Sequence, residues 1–542
     1  MPKIHIRETD KTSSSTSGRY SNYAVLITGF RGTSSTTSKL ISPDTNGVYE
    51  FVSADDFDKT IGLRGPEVKV KYESYGGERT EYHYGNQMAY ELLKLGYPVL
   101  FKPINTIMDM KDAEFWQIFK DKVNYDFRFI SHGLLTSSFD EATFTTLANR
   151  AARLNDVREV LNAIRVEQGG ASATKENLDS AFNLIKNNYE EFIKVPNEDP
   201  TKVEYNYVDF KEAEEKIGEL YVEAEALKTT FEQESITTTL INTINSNIAN
   251  LAFYAYDTTS KEPVADVGRG DCIALIELDE KVYANQDSSE SATNDIIQGI
   301  KTMGNSSVTK AMGSYCALTV PSVTYTMTAN ESFASNKKFP GAFHYLACFI
   351  NSLNSGFAEW YAAAGYTRGI SSYTIEKATV KLGEVAINAL EPRNKNDNSP
   401  TFACNVITNF RGSYYLWGNR TAYHLGSDTG TANDLVASHF LNIRQLCTTV
   451  KKQLQIACRR FTFDPSSDTL WFNFLNAIKP TLEIMKADQG IRDYKVVKIT
   501  DNTQKASFKA RIRIIPIEAV EDFDLEVALE DSFNEVTVNE QA

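Results

Sequence analysis

The sequence is short of the residues that usually announce chemistry. Its six cysteines, Cys272, Cys316, Cys348, Cys404, Cys447 and Cys458, form no CxxC pair. Scattered thiols of this kind are expected as core or half-buried side chains in a reducing compartment, not as a disulfide frame or a metal site. The six histidines, His5, His83, His132, His344, His424 and His439, show no HxxxH or HExxH spacing, which removes the common zinc-hydrolase pattern. No run of about eighteen apolar residues is present to span a bilayer, and no apolar segment near the start suggests a secretory signal. Basic residues are outnumbered, 56 Lys and Arg against 71 Asp and Glu, for a formal charge of −15. That balance argues against a nucleic-acid binder, which usually presents a basic face. What is left is an ordinary soluble globular composition, 42% hydrophobic and 23% charged, in a 542-residue chain long enough for two to four domains. Folding in a cytosol is the expectation.

What the chain does hold is an alternation of strand-like and helix-like runs. Tyr23-Ala-Val-Leu-Ile-Thr28 is an apolar strand closed by Gly29 and Gly32. The Gly-Phe-Arg-Gly there lacks the Lys-Ser/Thr of a P-loop and the third glycine of a dinucleotide fingerprint, so it reads as a plain turn. Residues 36–85 read as a part rich in short strands and turns. Within it, Phe51 to Gly62 predicts a strand, then a helical turn capped by Ser53 and closed by Gly62. A helix over 87–95 stops at Gly96 and leads into the apolar strand 97–103. A further strand, 125–130, ends at Ser131-His132-Gly133. No GxSxG elbow surrounds this pair, so His132 is expected as a strand-end side chain rather than a catalytic base.

Residues 139–165 predict an amphipathic helix with Phe144, Leu147, Ala151, Leu154, Val157 and Leu161 on one side. A second apolar stripe follows at Leu178, Ala181, Ile185 and Phe192, and a third at Phe210, Ala213, Ile217, Leu220, Ala224, Leu227 and Phe231. The third alternates steps of three and four, a coiled-coil-like spacing. Residues 166–250 are therefore expected to form a helical hairpin inserted into an α/β domain. The alternation resumes with strands at 271–278 and 315–323 and helices near 292–303 and 343–353, and a new region opens at 375–385. Two more helical runs and strands at 494–499 and 508–515 lead to Pro516. After it, Phe523, Leu525, Val527 and Leu529 recur at every second position, with Asp524, Glu526 and Glu530 on the opposite side. That is the period of a half-buried strand. At the other end, Ile4 and Ile6 alternate with Lys3, His5 and Arg7, a short strand on a Ser/Thr-rich tether. From local composition alone, a disordered terminus is the simpler reading of that end.

Several segments, in their order along the chain, resemble the contractile tail sheath proteins that sheathe phage tails and related injection machines. They are Ile4-His-Ile-Arg-Glu-Thr-Asp10, the strand 23–28, and Val52-Ser-Ala-Asp-Asp-Phe-Asp-Lys-Thr-Ile-Gly62. Arg269-Gly-Asp-Cys-Ile-Ala-Leu275, Trp360-Tyr-Ala-Ala-Ala-Gly-Tyr-Thr-Arg-Gly369 and Ala386-Ile-Asn-Ala-Leu390 come next. Leu416-Trp-Gly-Asn-Arg-Thr421, Arg459-Arg460, Phe463-Asp-Pro465, Trp471, Gly490 and the strand 494–499 complete the set. Residues 166–250 and much of 36–85 match nothing in the pattern.

The resemblance implies a mixed α/β (α+β) multidomain sheath-type fold, with layered α/β domains, a helical-hairpin insertion and extended strand arms at both ends. The division would be an N-terminal linking arm at 1–20, a middle α/β domain at 21–385, a C-terminal domain at 386–515 and a C-terminal linking arm at 516–542. It also implies stacked hexameric rings around a tail tube, contracting to drive the tube through a cell envelope during genome delivery. Partners would be further copies of the chain, the tail tube protein, and baseplate and tail terminator proteins, with no direct nucleic-acid contact and no membrane insertion. The place would be a virion tail assembled in a host bacterial cytoplasm. No catalytic residue, cofactor or metal is implied. A headless contractile injection system, of bacteriocin or secretion type, is the nearest alternative; an α/β enzyme without a recognisable motif is the alternative of another class.

The arms would carry the assembly. Lys3 and Arg7 beside Ile4 and Ile6 face Asp524 and Glu526 beside Phe523, Leu525, Val527 and Leu529, and opposite charges across strands contribute about 0.2–1 kcal/mol per pair. Burying the four apolar residues of the tail is worth ~6–12 kcal/mol at about 1.5–3 each. Ordering some ten residues costs about 1–2 kcal/mol apiece. Such an arm needs backbone hydrogen bonds to another edge, as in strand addition.

Overall fold

The computed structural model describes residues 23–31, 41–62, 65, 67–71, 78–137, 141–195, 206–207, 209–235, 237–255, 268–326, 338–392, 398–426, 435–465, 467–499, 509–517 and 519. The expected arm residues Lys3, Ile4, Ile6, Arg7, Phe523, Asp524, Leu525, Glu526, Val527 and Leu529 lie outside them.

Strands that are apolar on both sides need cover on both faces, and they pair in parallel beneath helices. Ala24–Phe30 (β1) is buried at every position. It heads a mixed sheet completed by Tyr49–Phe51 (β2), Val99–Ile104 (β3), Phe127–Ser131 (β4), Ile273–Ile276 (β5), Cys316–Val320 (β6), Asn405–Phe410 (β7) and Ser413–Trp417 (β8). The spatial order of the eight strands is β8-β7-β6-β5-β4-β1-β3-β2. The six inner strands run parallel, and an antiparallel strand closes each edge.

Alternation along the strands divides the core into two layers. Val25, Ile27, Phe101, Phe129 and Leu275 face the helices Ala54–Thr60 (α1), Gly85–Lys94 (α2) and Gly341–Asn354 (α8 in chain order). Leu26, Leu100, Ile130, Ala274 and Leu318 face Thr237–Ala252 (α6), Ser289–Ser306 (α7) and Glu384–Leu390 (α9). The predicted cap is present: the Ser53 hydroxyl accepts the Asp56 N–H, and Gly62 turns the chain at φ +83°. The strand- and turn-rich stretch contributes Glu67–Lys71 and Glu78–His83, which pair antiparallel, the latter also with Leu134–Ser137.

Three helices form a separate cluster: Glu141–Glu167 (α3), Lys175–Ile185 (α4) and Phe210–Ser235 (α5). Leu154, Val157, Leu161, Phe182, Ile217 and Ala224 fill its core. Arg165 clasps both oxygens of Glu214, and the Arg158 guanidinium lies 4.2 Å from the Tyr221 ring centre. This cluster takes in Glu141–Glu167 as well as helices within the 166–250 span expected for an insertion, and it ends with α5. Residues 237–252, expected as its last part, cover the sheet instead, through Ile241, Ile244 and Ile248. A helical period reveals that a face is covered and does not reveal what covers it.

The expected boundary at 385/386 also falls inside the sheet layer, because α9, β7 and β8 complete the same core. What stands on its own core begins later. Leu441–Arg460 (α10) and Asp468–Ala487 (α11) form a helical pair, and the antiparallel hairpin Ile491–Ile499 (β9) and Lys509–Pro516 (β10) lies against it. Leu446, Val450, Leu482, Met485 and Ile491 are the buried centre of this terminal module, with Ala457, Phe474 and Ile478 further along.

Candidate assembly surface

Helix α10 is amphipathic in an unusual sense: its second face is polar and yet buried against the sheet. Thr449 donates to Glu359 at 2.8 Å, and the same carboxylate oxygen takes the Arg128 guanidinium at 2.5 Å. Burial opposes the Arg128 charge, but the Glu359 carboxylate together with the nearby Tyr97 and Tyr23 raises its pKa. Lys452 pairs with Asp126 and lies 3.5 Å from Asp271. Asp271 is in turn held by Arg269 at 2.9 and 3.2 Å. Burial alone would push the Asp271 carboxyl up; Arg269 and Lys452 reverse that and hold it below the usual range. Lys451 donates to the Gly270 carbonyl at 2.8 Å, Arg444 to the Ser314 hydroxyl at 2.8 Å, and Gln445 to the Tyr345 hydroxyl. Unpaired charges would be very costly here, so these partners fix one seating of the terminal module on the sheet.

Several of the segments that carry the sheath resemblance, among them 269–275, 360–369, 416–421 and Gly490, contribute contacts at or beside this joint. Trp360 donates its indole N–H to the Asp488 carbonyl at 3.0 Å, and its ring presses on Gly490. Leu416 donates its backbone N–H to the Gly369 carbonyl at 2.7 Å, while Tyr366 packs edge-on to Trp417. Arg420 pairs with Glu391 at 3.2 Å, just past α9, and its guanidinium lies over the Phe440 ring ahead of α10. Arg269 and Asp271 are the buried pair already met. The turn between α10 and α11 exposes Arg459, Arg460 and Phe463, the last at φ +76°.

The module's outer end is the β9–β10 hairpin. Its register sets Tyr494 against Ile514 and Val496 against Ile512, and these four, with Ala510, face α10 and α11. The opposite side sets Lys495 against Arg513 and Val497 against Arg511. Side-chain bonds tie β9 to α11: Lys498 reaches Asp468 at 2.7 Å, Tyr494 reaches Glu483 at 2.5 Å, and Asp493 takes Lys486 at 3.0 Å. Among the described residues the hairpin is two-stranded, and both of its outer edges are open to a further strand.

The place where a doubly wound sheet usually binds ligands is the crevice at the strand ends where the order reverses, here between β1 and β4. It is filled by the chain itself. A Cβ on Gly85 would sit 1.7 Å from the Thr28 carbonyl oxygen, and one on Gly133 would sit 2.7 Å from the Gly85 nitrogen. Gly29, in the glycine pair that superficially suggested a phosphate turn, packs against Asn86 and Phe101, and Asn86 bonds both backbone groups of Phe30. Beside it, His132 has both ring nitrogens engaged: Nδ1 accepts from the Leu134 N–H at 3.0 Å, and Nε2 meets Asn245 Oδ1 at 3.1 Å. Burial lowers its pKa to about 4. It is a neutral cross-link between strand end and α6.

Cys272, Cys316, Cys348 and Cys404 are buried, and burial pushes their thiols up, Cys272 to about 12. Among the described residues no three His, Cys, Asp or Glu side chains gather as metal ligands, and no helix is long and apolar enough to cross a membrane. The buried ionic partners at the joint were not legible in the sequence, where Arg128, Glu359 and Lys452 look like ordinary surface charges.

No family model matches the chain, and no curated protein matches it. Among solved structures, 98% of the chain is similar to a chain of the anti-feeding prophage (AFP) baseplate in its 6-fold symmetrised cryo-EM structure, with 11% identity, a TM-score of 0.46 and 99% of that chain covered. The PVC sheath complex of an extracellular contractile injection system, in the contracted state, is similar over 98% of each chain, with 12% identity and a TM-score of 0.44. The contracted AFP baseplate gives 14% identity, a TM-score of 0.43, and coverage of 98% of this chain and 99% of that one.

Proposed function

We propose that this chain is a structural subunit of a contractile tail sheath. Copies polymerise as stacked hexameric rings around a tail tube, linked by their terminal arms, and repack to drive the tube through a target cell envelope during genome delivery. The observation that supports the reading is that several of the segments resembling sheath proteins come together near one joint, where Trp360, Gly490, Arg269 and Arg420 serve packing and ion pairing. A chain that must move as a rigid body under load needs its terminal module held in one orientation. The buried pairs Arg128–Glu359 and Arg269–Asp271 supply that constraint.

On this reading the work of contraction comes from two packings of the same subunit, multiplied over many copies, with no cofactor and no chemistry. The partners are further copies, the tail tube protein, and the baseplate and tail terminator proteins. The particle is a virion tail assembled in a host bacterial cytoplasm. Electron microscopy of the purified recombinant chain tests the reading: hollow tubes or stacked rings are expected, and a monomer or dimer that never assembles on concentration overturns it.

A further inference from the structure

The chain has one Asn-Gly pair, Asn46-Gly47, in the turn that leads into β2. Gly47 stands at φ +73°, where a residue with a Cβ is strained, so the turn itself calls for glycine. Asp44 builds the turn. One of its carboxylate oxygens accepts the N–H groups of Asn46 at 2.9 Å and Val48 at 2.8 Å, and its carbonyl accepts the Gly47 N–H at 3.0 Å. Asn46 is exposed, and asparagine is a thermolabile residue. Glycine after it adds to that lability, because no side chain shields the main-chain nitrogen that attacks the amide.

In that reaction the Gly47 nitrogen loses its proton to water and bonds to the Asn46 side-chain carbonyl carbon. The amide nitrogen takes up a proton and leaves as ammonia, closing a cyclic imide. Water then adds to either imide carbonyl and opens the ring to aspartate or isoaspartate. The folded turn engages the groups that must move. The Gly47 N–H is committed to Asp44, and Asn46 Nδ2 donates to the Tyr125 hydroxyl at 2.8 Å. That hydroxyl donates in turn to the Asp44 carboxylate. Tyr125 is 3% exposed, its ring edge-on to Phe119. Burial and the Asp44 carboxylate push its pKa up to about 12, so it keeps its proton in mildly alkaline solution. One contact works the other way. Lys102 on β3 donates to the Asn46 main-chain carbonyl oxygen, and a cation there favours the deprotonated Gly47 nitrogen conjugated to that carbonyl.

We propose that Asn46 is a guarded modification site: the Asp44–Tyr125 clasp holds the turn closed against deamidation, and its opening lets Lys102 speed conversion to aspartate or isoaspartate. Isoaspartate would insert a main-chain methylene just ahead of β2, whose Tyr49 pairs with Phe101 at the sheet's edge.

Peptide mass spectrometry of the full-length chain, kept in mildly alkaline buffer either folded or unfolded in guanidinium chloride, tests this. Asn46 in the folded wild type is expected to react about ten- to a hundredfold more slowly than in the unfolded chain, the cost of opening two hydrogen bonds. Tyr125→Phe, with its fold checked by thermal unfolding, should react about tenfold faster than the folded wild type. Asp44→Asn, which keeps a turn-forming side chain but offers Tyr125 no carboxylate, should move the same way. Adding Lys102→Met to Tyr125→Phe should slow the reaction again. A folded wild type that reacts as fast as the unfolded chain overturns the guard. Folded Tyr125→Phe and Asp44→Asn chains that both keep the wild-type rate overturn the clasp, and a rate unmoved by Lys102→Met overturns the part given to Lys102.

Discussion

Trp360 lies across Gly490 so closely that a Cβ there would sit 2.8 Å from the indole ring, and the same indole N–H is anchored on the Asp488 carbonyl at 3.0 Å. The contact ties the stretch after α8 to the turn from α11 into the hairpin. Gly490→Ala should therefore overpack the site and cost about 1–3 kcal/mol, and Trp360→Ala should cost about 3–5 kcal/mol. Denaturant unfolding gives both values; a Gly490→Ala chain as stable as wild type would contradict the close contact.

The Arg128–Glu359 pair is almost wholly out of water, with side-chain exposures of 0% and 5%. Glu359→Gln leaves a buried guanidinium uncompensated and is expected to cost about 3–5 kcal/mol. The double replacement Arg128→Met with Glu359→Leu should cost much less, since no lone charge remains. Equal losses in the single and double variants would show that packing, not the charge pair, governs the site.

His132 is buried and neutral, with a pKa of about 4 against 6.5 for the free side chain. A depressed folded pKa gives stability that is complete above the unfolded value and is lost as pH falls from about 6.5 toward 4. His132→Gln should flatten the fall of unfolding free energy over that window by up to about one proton. Urea titrations from pH 7 to pH 4 measure it, and an unchanged slope would mean that the imidazole does not titrate with unfolding.

Ile217 is completely buried in the helical cluster and makes no part of the sheet's two layers. Ile217→Ala should cost about 2–5 kcal/mol locally. Hydrogen exchange should quicken over 141–235 while β1, β4 and β5 keep their protection. Loss of protection in the sheet as well would make the cluster part of the main folding unit.

The elements easiest to read from the sequence were those with one cause. Ala24–Phe30 and Ile273–Ile276 are apolar on both sides, which only a covered parallel strand explains. Ser53 and Gly62 mark a helix by capping chemistry alone. Where sequence pattern and structure differ, the sequence lacks the identity of the packing partner. The stripes on α3 and on α6 look alike in sequence, but one meets α5 and the other meets the sheet. β7 lies beyond 375–385, where the sequence points to a new region, yet it adds to β6, because strand order is decided in space. The joint was the least legible part, since burial makes Arg128, Glu359 and Lys452 structural and no local pattern announces burial of a charge.

On the proposed sheath role, copies link through the residues beyond the hairpin. Electron microscopy of two purified chains, the full sequence and one ending at Pro516, tests it most directly, with unfolding curves to show that both are folded. Hollow tubes or stacked rings are expected from the full chain, and a folded, unassembled protein from the shortened one. Tubes from the shortened chain would contradict the role of the terminal segment, and no assembly from either would contradict the sheath itself.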